Sequence, residues 1–315
     1  MSLLNKIAFV GAGAMTAAHI KAFKDIEDIV LCGIASRTAS KAIGLANKYS
    51  LKHVCSSIEQ LYELTKADLV VISVPVLETY DVCIEAFKYP WKLLIEKPVG
   101  YDLDEAVRIK KVADDCGRHA FVALNRRHYA STRSVIDGLK DNDAPRLIHV
   151  FDQEDLITAR AVGQPENVIK NWMYANSIHV IDFLRMFGRG EIVSVDSVIP
   201  WTPEMPSFVS AKIQFSSGDI GLYDAVWNGP GPWAVMVTAG PMRWEMRPLE
   251  QVAAQEYPSR KLDPLPCNEW DVQFKPGLRL QAEEAIKAVK GMPHNLISLA
   301  EGVETMKLVR SIYEV

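Results

Sequence analysis

Lys6-Ile7-Ala8-Phe9-Val10-Gly11-Ala12-Gly13-Ala14-Met15-Thr16 is the stretch on which the reading of this chain turns. A short apolar run enters a glycine-rich turn and leaves it on small residues, the pattern of a buried strand running into a helix. There Gly11 serves the tight turn, and Gly13 lets the backbone approach a pyrophosphate held over the helix N-terminus, whose first amides belong to Ala14 and Met15. Thr16 takes the third glycine position, which predicts slightly looser packing of helix on strand. A secretory signal over residues 6–18 is the competing reading, and the turn-forming glycines that interrupt the apolar run speak against it.

Outward from this turn the chain alternates. Apolar runs at 29–35, 67–74, 92–96 and 119–124 read as buried parallel strands. Helical patterns lie between them at 38–49, behind Ser57, at 78–87, and at 102–116 with Asp102 as N-cap and Gly117 as stop. Strand, helix, strand, repeated, predicts an α/β doubly wound sheet with helices on both faces. After Asn125 the rhythm changes to α+β. Helices are expected at 129–139 and 176–187, and strands at 147–156, 192–199, 208–215, 220–227, 234–238 and 242–246. Ser217-Gly218-Asp219 and Asn228-Gly229-Pro230-Gly231 read as hairpin turns, and helices 278–288 and 296–313 close the chain. Two domains follow, 1–125 and 126–315.

Composition narrows the function. The 315 residues suit two domains, and 49% hydrophobic with 23% charged residues provides two real cores. A formal charge of −4 and no basic stripe exclude a nucleic-acid partner. The longest apolar stretch, 69–77, is broken by Pro75 and too short to span a bilayer, so no membrane role is expected. The five cysteines are odd in number and form no Cys-x-x-Cys pair, which predicts reduced thiols, a cytoplasmic protein and no metal site.

Two further clusters carry chemistry. At the end of the second strand, Ser36-Arg37-Thr38 stands where an NAD site commonly presents an acid. An arginine between hydroxyls suits a 2′-phosphate, so NADP is favoured over NAD within an NAD(P) site; the other reading is a solvated arginine starting a helix. Glu96-Lys97-Pro98 ends the strand at 92–96, on the ligand edge of such a sheet. Its ammonium suits a substrate oxygen, or a strand-end salt bridge with Glu96, and Pro98 holds Lys97 extended.

Gly11-x-Gly13 with His19 downstream, Glu96-Lys97-Pro98, Asn125-x-Arg127 and His179-x-x-Asp182 together resemble the glucose–fructose oxidoreductase/inositol dehydrogenase (Gfo/Idh/MocA) family, in motif order and spacing over nearly the whole chain. The resemblance implies a Rossmann domain followed by an α+β domain with a large, open, mainly antiparallel sheet for substrate binding and oligomerisation, in a dimer or tetramer. It implies hydride transfer between NAD(P) and a hydroxyl or carbonyl carbon of a sugar, sugar nucleotide or polyol. Lys97 would lie beside nicotinamide and the reacting oxygen, and His179 would donate and accept the proton. Pro75, Glu96 and Asn125 would join the cofactor site, and Arg127 and Asn176 the substrate site.

There are departures from the family's pattern: Ala175 stands where many relatives have Asp, and Val76 and Thr79 replace an Asn and a His. On an α-helix Ala175, Asn176, His179 and Asp182 would share a face, which lets Asn176 orient the His179 ring. A cofactor-binding sensor without turnover, and a hydrolase or epimerase using NAD transiently, are the competing functions. Arg126 and His128 read either as contacts to an acidic substrate group or as a solvated corner. Trp172, Tyr174, Trp227 and Trp233 read as a sugar-sized pocket or as core.

Overall fold

A computed structural model describes residues 5–202 and 208–315 of the chain. They form two compact units, Met1–Asn125 with Val272–Val303, and Arg126–Asp271 with Glu304–Val315. The expected second domain, 126–315, is therefore corrected: one segment returns to the first unit. The helix Leu278–Val289 buries Leu278, Ala282 and Ala285 in the same core as Ile7, Phe9 and Phe23, and Arg279 Nε holds Asp25 at 2.7 Å.

The first unit contains β1 (Asn5–Val10), β2 (Ile29–Ala35), β3 (His53–Cys55), β4 (Leu69–Ile72), β5 (Lys92–Glu96) and β6 (Ala120–Ala123). These six run parallel in the order β6-β5-β4-β1-β2-β3, and Ile297–Ser298 pairs antiparallel with β6 as a seventh strand. Along β1, Ile7 and Phe9 enter one core while Ala8 and Val10 enter the other. Both faces are buried, as a parallel sheet between helices requires. Capping follows the expected chemistry, with Asp102 Oδ1 accepting from the Glu105 amide at 2.8 Å and Ser57 Oγ from the Gln60 amide at 3.0 Å. Strand order reverses between β1 and β4, which opens a crevice at their carboxyl ends.

The second unit holds β7 (Arg146–Glu154), β8 (Ile192–Ile199), β9 (Phe208–Phe215), β10 (Ile220–Trp227), β11 (Ala234–Ala239), β12 (Met242–Met246), β13 (Ala253–Glu256) and β14 (Asp263–Pro264). Their order is β14-β13-β12-β11-β7-β10-β9-β8, and every neighbouring pair is antiparallel except β7 and β10. The second expected hairpin is thereby corrected. Asn228-Gly229-Pro230-Gly231 does not join neighbouring strands, because β7 lies between β10 and β11. The loop crosses the end of β7, where the Asn228 amide donates to Glu154 O at 2.7 Å and Gln153 Nε2 to Gly229 O at 3.1 Å.

The first expected hairpin is present, and its Asp219 clamps three elements. Its carboxylate accepts from Arg189 Nη2 at 2.7 Å, Arg189 Nε at 2.9 Å, and the amides of Arg146 and Arg189 at 2.9 and 3.0 Å. Burial alone would raise this carboxyl, but those donors outweigh it and hold its pKa at about 2 instead of 3.8. A lowered carboxyl gives stability that is complete above its unfolded value and lost as pH falls through its folded one. Asp219→Asn is expected to cost roughly 2 kcal/mol at neutral pH. Its deficit should shrink as pH drops from 4 towards 2 in denaturant melts; a deficit independent of pH contradicts this account.

Candidate functional site

In the first unit, β1 delivers the chain into a turn only glycine permits. Gly11 has φ +105°, and a Cβ there would lie 1.9 Å from Ser73 O. The Gly11 amide donates to Ala35 O and the Ser73 amide to Val10 O, both at 2.9 Å, so the turn is tied to both neighbouring strands. A Cβ on Gly13 would meet no protein atom. Gly13 caps the helix Ala14–Lys24 without any side-chain bond, and the first turn carries no acid. Bare amides and the positive end of the helix dipole thus share an open cradle that fits a pyrophosphate. Thr16 corrects the expectation of looser packing. It is fully buried, with Oγ1 3.4 Å from Ser73 O.

A cleft of about 520 Å³ extends from this cradle and is lined by Gly11, Gly13, Ala14, Met15, Ser36, Arg37, Thr38 and Pro75. Lys41, Ser56, Ser73 and Glu78 also line it and were not singled out from sequence. The available signal was their position just beyond the ends of β2, β3 and β4. Arg37 is 75% exposed and pairs with Glu78 at 2.9 Å. Glu96, Lys97 and Asn125 are not on the cleft wall. Glu96 Oε1 meets His19 Nε2 at 2.6 Å, joining the glycine-turn helix to the residue before half-buried Lys97. Asn125 Nδ2 donates to Pro276 O at 2.9 Å and so anchors the returning segment.

In the second unit, the expected continuous helix over 176–187 is corrected. A π-helical turn, Met173–Ser177, precedes the α-helix Ile178–Phe187 that carries half-buried His179. Glu154 accounts for the wider turn. Trp172 Nε1 donates to it at 2.6 Å, Asn176 Nδ2 at 2.9 Å and Ser177 Oγ at 3.2 Å. Donors at 172 and 177 reach one carboxyl because a π-turn closes over five residues. The Asn176 amide nitrogen is therefore directed to Glu154, which corrects its expected role in orienting His179. Arg127 binds Asp182 through Nε at 2.6 Å and Nη2 at 2.8 Å, and Thr305 Oγ1 adds a bond to Asp182 at 2.9 Å.

Glu154 and Asp152 were also missed in sequence, although period-2 alternation along β7 places both beside inward-facing Ile148 and Val150. Asp152 Oδ2 accepts from the Tyr223 hydroxyl at 2.7 Å, and Tyr223 meets Tyr313 at 2.8 Å. Among the described residues, no group of three or more His, Cys, Asp or Glu could hold a metal, and no helix is long and apolar enough to cross a membrane.

Residues 5–124 match the model of the oxidoreductase family with an NAD-binding Rossmann fold. Among characterised relatives, 4-carboxy-2-hydroxymuconate-6-semialdehyde dehydrogenase of Sphingobium sp. is 24% identical over 298 residues, 90% of this chain and 90% of that protein. Inositol 2-dehydrogenase of Corynebacterium glutamicum is 24% identical over 208 residues, 65% of this chain and 60% of that protein. Among solved structures, UDP-N-acetylglucosamine 3-dehydrogenase of Acidithiobacillus ferrooxidans shares the fold with a TM-score of 0.78 at 15% identity, over 98% of this chain and 96% of the other.

Burial, followed by the charge of Asp152, raises the Glu154 carboxyl well above the usual range. A raised carboxyl costs the folded state stability as pH climbs from its unfolded value towards its folded one. Glu154→Gln mimics the protonated form. It should gain on wild type between pH 5 and pH 8, by about 1.4 kcal/mol per pH unit while the proton is retained. Thermal melts at the two pH values check this, and a pH-independent difference overturns it.

Proposed function

We propose that the chain, whose residues 5–124 match the model of the oxidoreductase family with an NAD-binding Rossmann fold, is an NAD(P)-dependent dehydrogenase acting on CH–OH groups. Its substrate is a sugar, sugar nucleotide or polyol, or the corresponding carbonyl compound. The inositol and UDP-N-acetylglucosamine enzymes support the sugar-like class, while the Sphingobium relative is named for a carboxylated semialdehyde. The observation that carries the reading is the cradle at Gly13, with open space over uncapped helix amides.

When bound, nicotinamide accepts or supplies the hydride. The chain's residues manage the oxygen and its proton. Lys97 donates to the reacting oxygen and stabilises negative charge there, and His179 accepts the hydroxyl proton in oxidation and returns it in reduction. Glu96, fastened to His19, steadies the strand end that bears Lys97. Asn176 and Glu154 shape the turn preceding His179, and Arg127 is oriented by Asp182.

For the cofactor, Arg37, Lys41 and the hydroxyls of Ser36 and Thr38 favour a 2′-phosphate, and hence NADP. Glu78 supports use of NAD as well, because it holds Arg37 and offers the ribose an acceptor. Self-association is proposed through the second unit's sheet, whose outer face leaves Leu147 44%, Ile220 37% and Phe208 58% exposed. A cytoplasmic location fits the free cysteines.

A screen of sugars, sugar nucleotides and polyols for NAD(P)H absorbance, with both cofactors, tests the activity; no turnover with any of them favours the sensor. Lys97→Ala and His179→Asn should each lower turnover by about a hundredfold or more while NADPH binding persists. Near-normal turnover in either variant removes that residue from the mechanism. Arg37→Ala should weaken NADPH by roughly tenfold to a hundredfold and barely affect NADH, whereas Glu78→Gln should strengthen NADPH. Equal losses for both cofactors contradict the 2′-phosphate assignment.

A further inference from the structure

Arg126 and Arg127 are neighbours in sequence with opposite circumstances. Arg127 is matched by Asp182 in a two-pronged ion pair. Arg126 forms no ion pair among the described residues, although Asp152 and Glu250 are its acidic neighbours. It is not a solvated corner either. Its Nη1 is buried with no protein partner, and its guanidinium lies 4.0 Å over the ring of Trp233. The hydroxyl of buried Tyr129 is a hydrogen-bonding neighbour of its guanidinium. Burial pushes its pKa down, the mark of a cation whose lost hydration is incompletely replaced. A half-buried guanidinium with one nitrogen enclosed and no direct ion pair among the described residues is costly, so a partner from outside the protein is the economical explanation for its retention.

The surrounding unmatched atoms define that partner. Trp233 Nε1, on the same indole, is a buried donor with no protein acceptor. A cation laid flat on an indole whose own N–H also lacks an acceptor is complementary to a planar carboxylate.

We propose that Arg126, assisted by the indole of Trp233, receives a carboxylate of the substrate, so that the substrate class is a hydroxy or carbonyl acid, such as a sugar acid or a semialdehyde acid. This rests on the oxidoreductase reading and narrows it.

The test compares acids with neutral twins: D-glucuronate with D-glucose, and succinate semialdehyde with butyraldehyde, with D-glucose 6-phosphate as the other anion. Binding is read by quenching of tryptophan fluorescence, and hydride transfer by NAD(P)H absorbance, in wild type, Arg126→Met and Arg126→Lys. Wild type should prefer the acid in at least one pair. Arg126→Met should reduce the acid-to-neutral ratio by roughly tenfold to a hundredfold, and Arg126→Lys should restore part of it. Retained NADPH binding shows that the variants are folded. The inference is overturned if neutral twins bind as tightly as the acids, if the phosphate is preferred, or if Arg126→Met leaves the ratio unchanged. Arg126-dependent acid binding without NAD(P)H formation contradicts the redox reading alone, whereas turnover confined to neutral sugars contradicts this inference alone.

Discussion

The closest constraint in the first unit is the approach of Gly11 to Ser73, whose carbonyl oxygen lies 1.9 Å from where a Cβ would be. β1 and β4 are adjacent at the point where strand order reverses, and the chain passes between them only as bare backbone. That passage aims the next helix so that its free amides face the cleft. Thr16 bonds the same Ser73 carbonyl from one turn further on, and His19, another turn along, grips Glu96 at the end of β5. One tight turn is thereby coupled through a single helix to the residue that precedes Lys97.

The second unit solves a similar problem with buried acids. Glu154 gathers three donors and widens the turn ahead of His179, while Asp182, one turn beyond His179, holds Arg127 and Thr305. Carboxyls so placed are expensive to strip of partners, because breaking a buried pair leaves an uncompensated polar group. They restrain the local backbone more firmly than an apolar contact, since each bond has direction. Arg126 is the exception to this pairing, with Nη1 buried and unmatched by any described protein acceptor.

Much of the fold was legible because strands buried on both faces leave continuous apolar runs, and β2 and β5 were read with their observed ends. β3, β13 and β14 escaped because a few mixed residues show no period. Helix Leu278–Val289 was read as a helix but assigned to the wrong unit, since an apolar stripe does not say which core it enters. The glycine-rich loop after β10 looked like a hairpin because local turn chemistry is blind to a strand inserted from far upstream. In the site, Gly11, Gly13 and Ser36–Thr38 were legible from their position at strand ends. Glu78 and Lys41 were not, because their proximity to Arg37 or the cleft arises only on folding. Asp152 and Glu154 stayed hidden because charged residues default to the surface unless partners are known.

The central claim is that the cradle at Gly13 holds a dinucleotide, and titration of wild type and Gly13→Val with NADPH and NADH tests it most directly. A Cβ there meets no protein atom within 4 Å, so the variant should melt within about 1 kcal/mol of wild type, the scale of a lost helix cap. Its side chain fills the space assigned to the pyrophosphate, so nucleotide binding should weaken by roughly tenfold or more, at least ~1.4 kcal/mol. A well-folded Gly13→Val protein that binds both nucleotides as tightly as wild type would contradict the account.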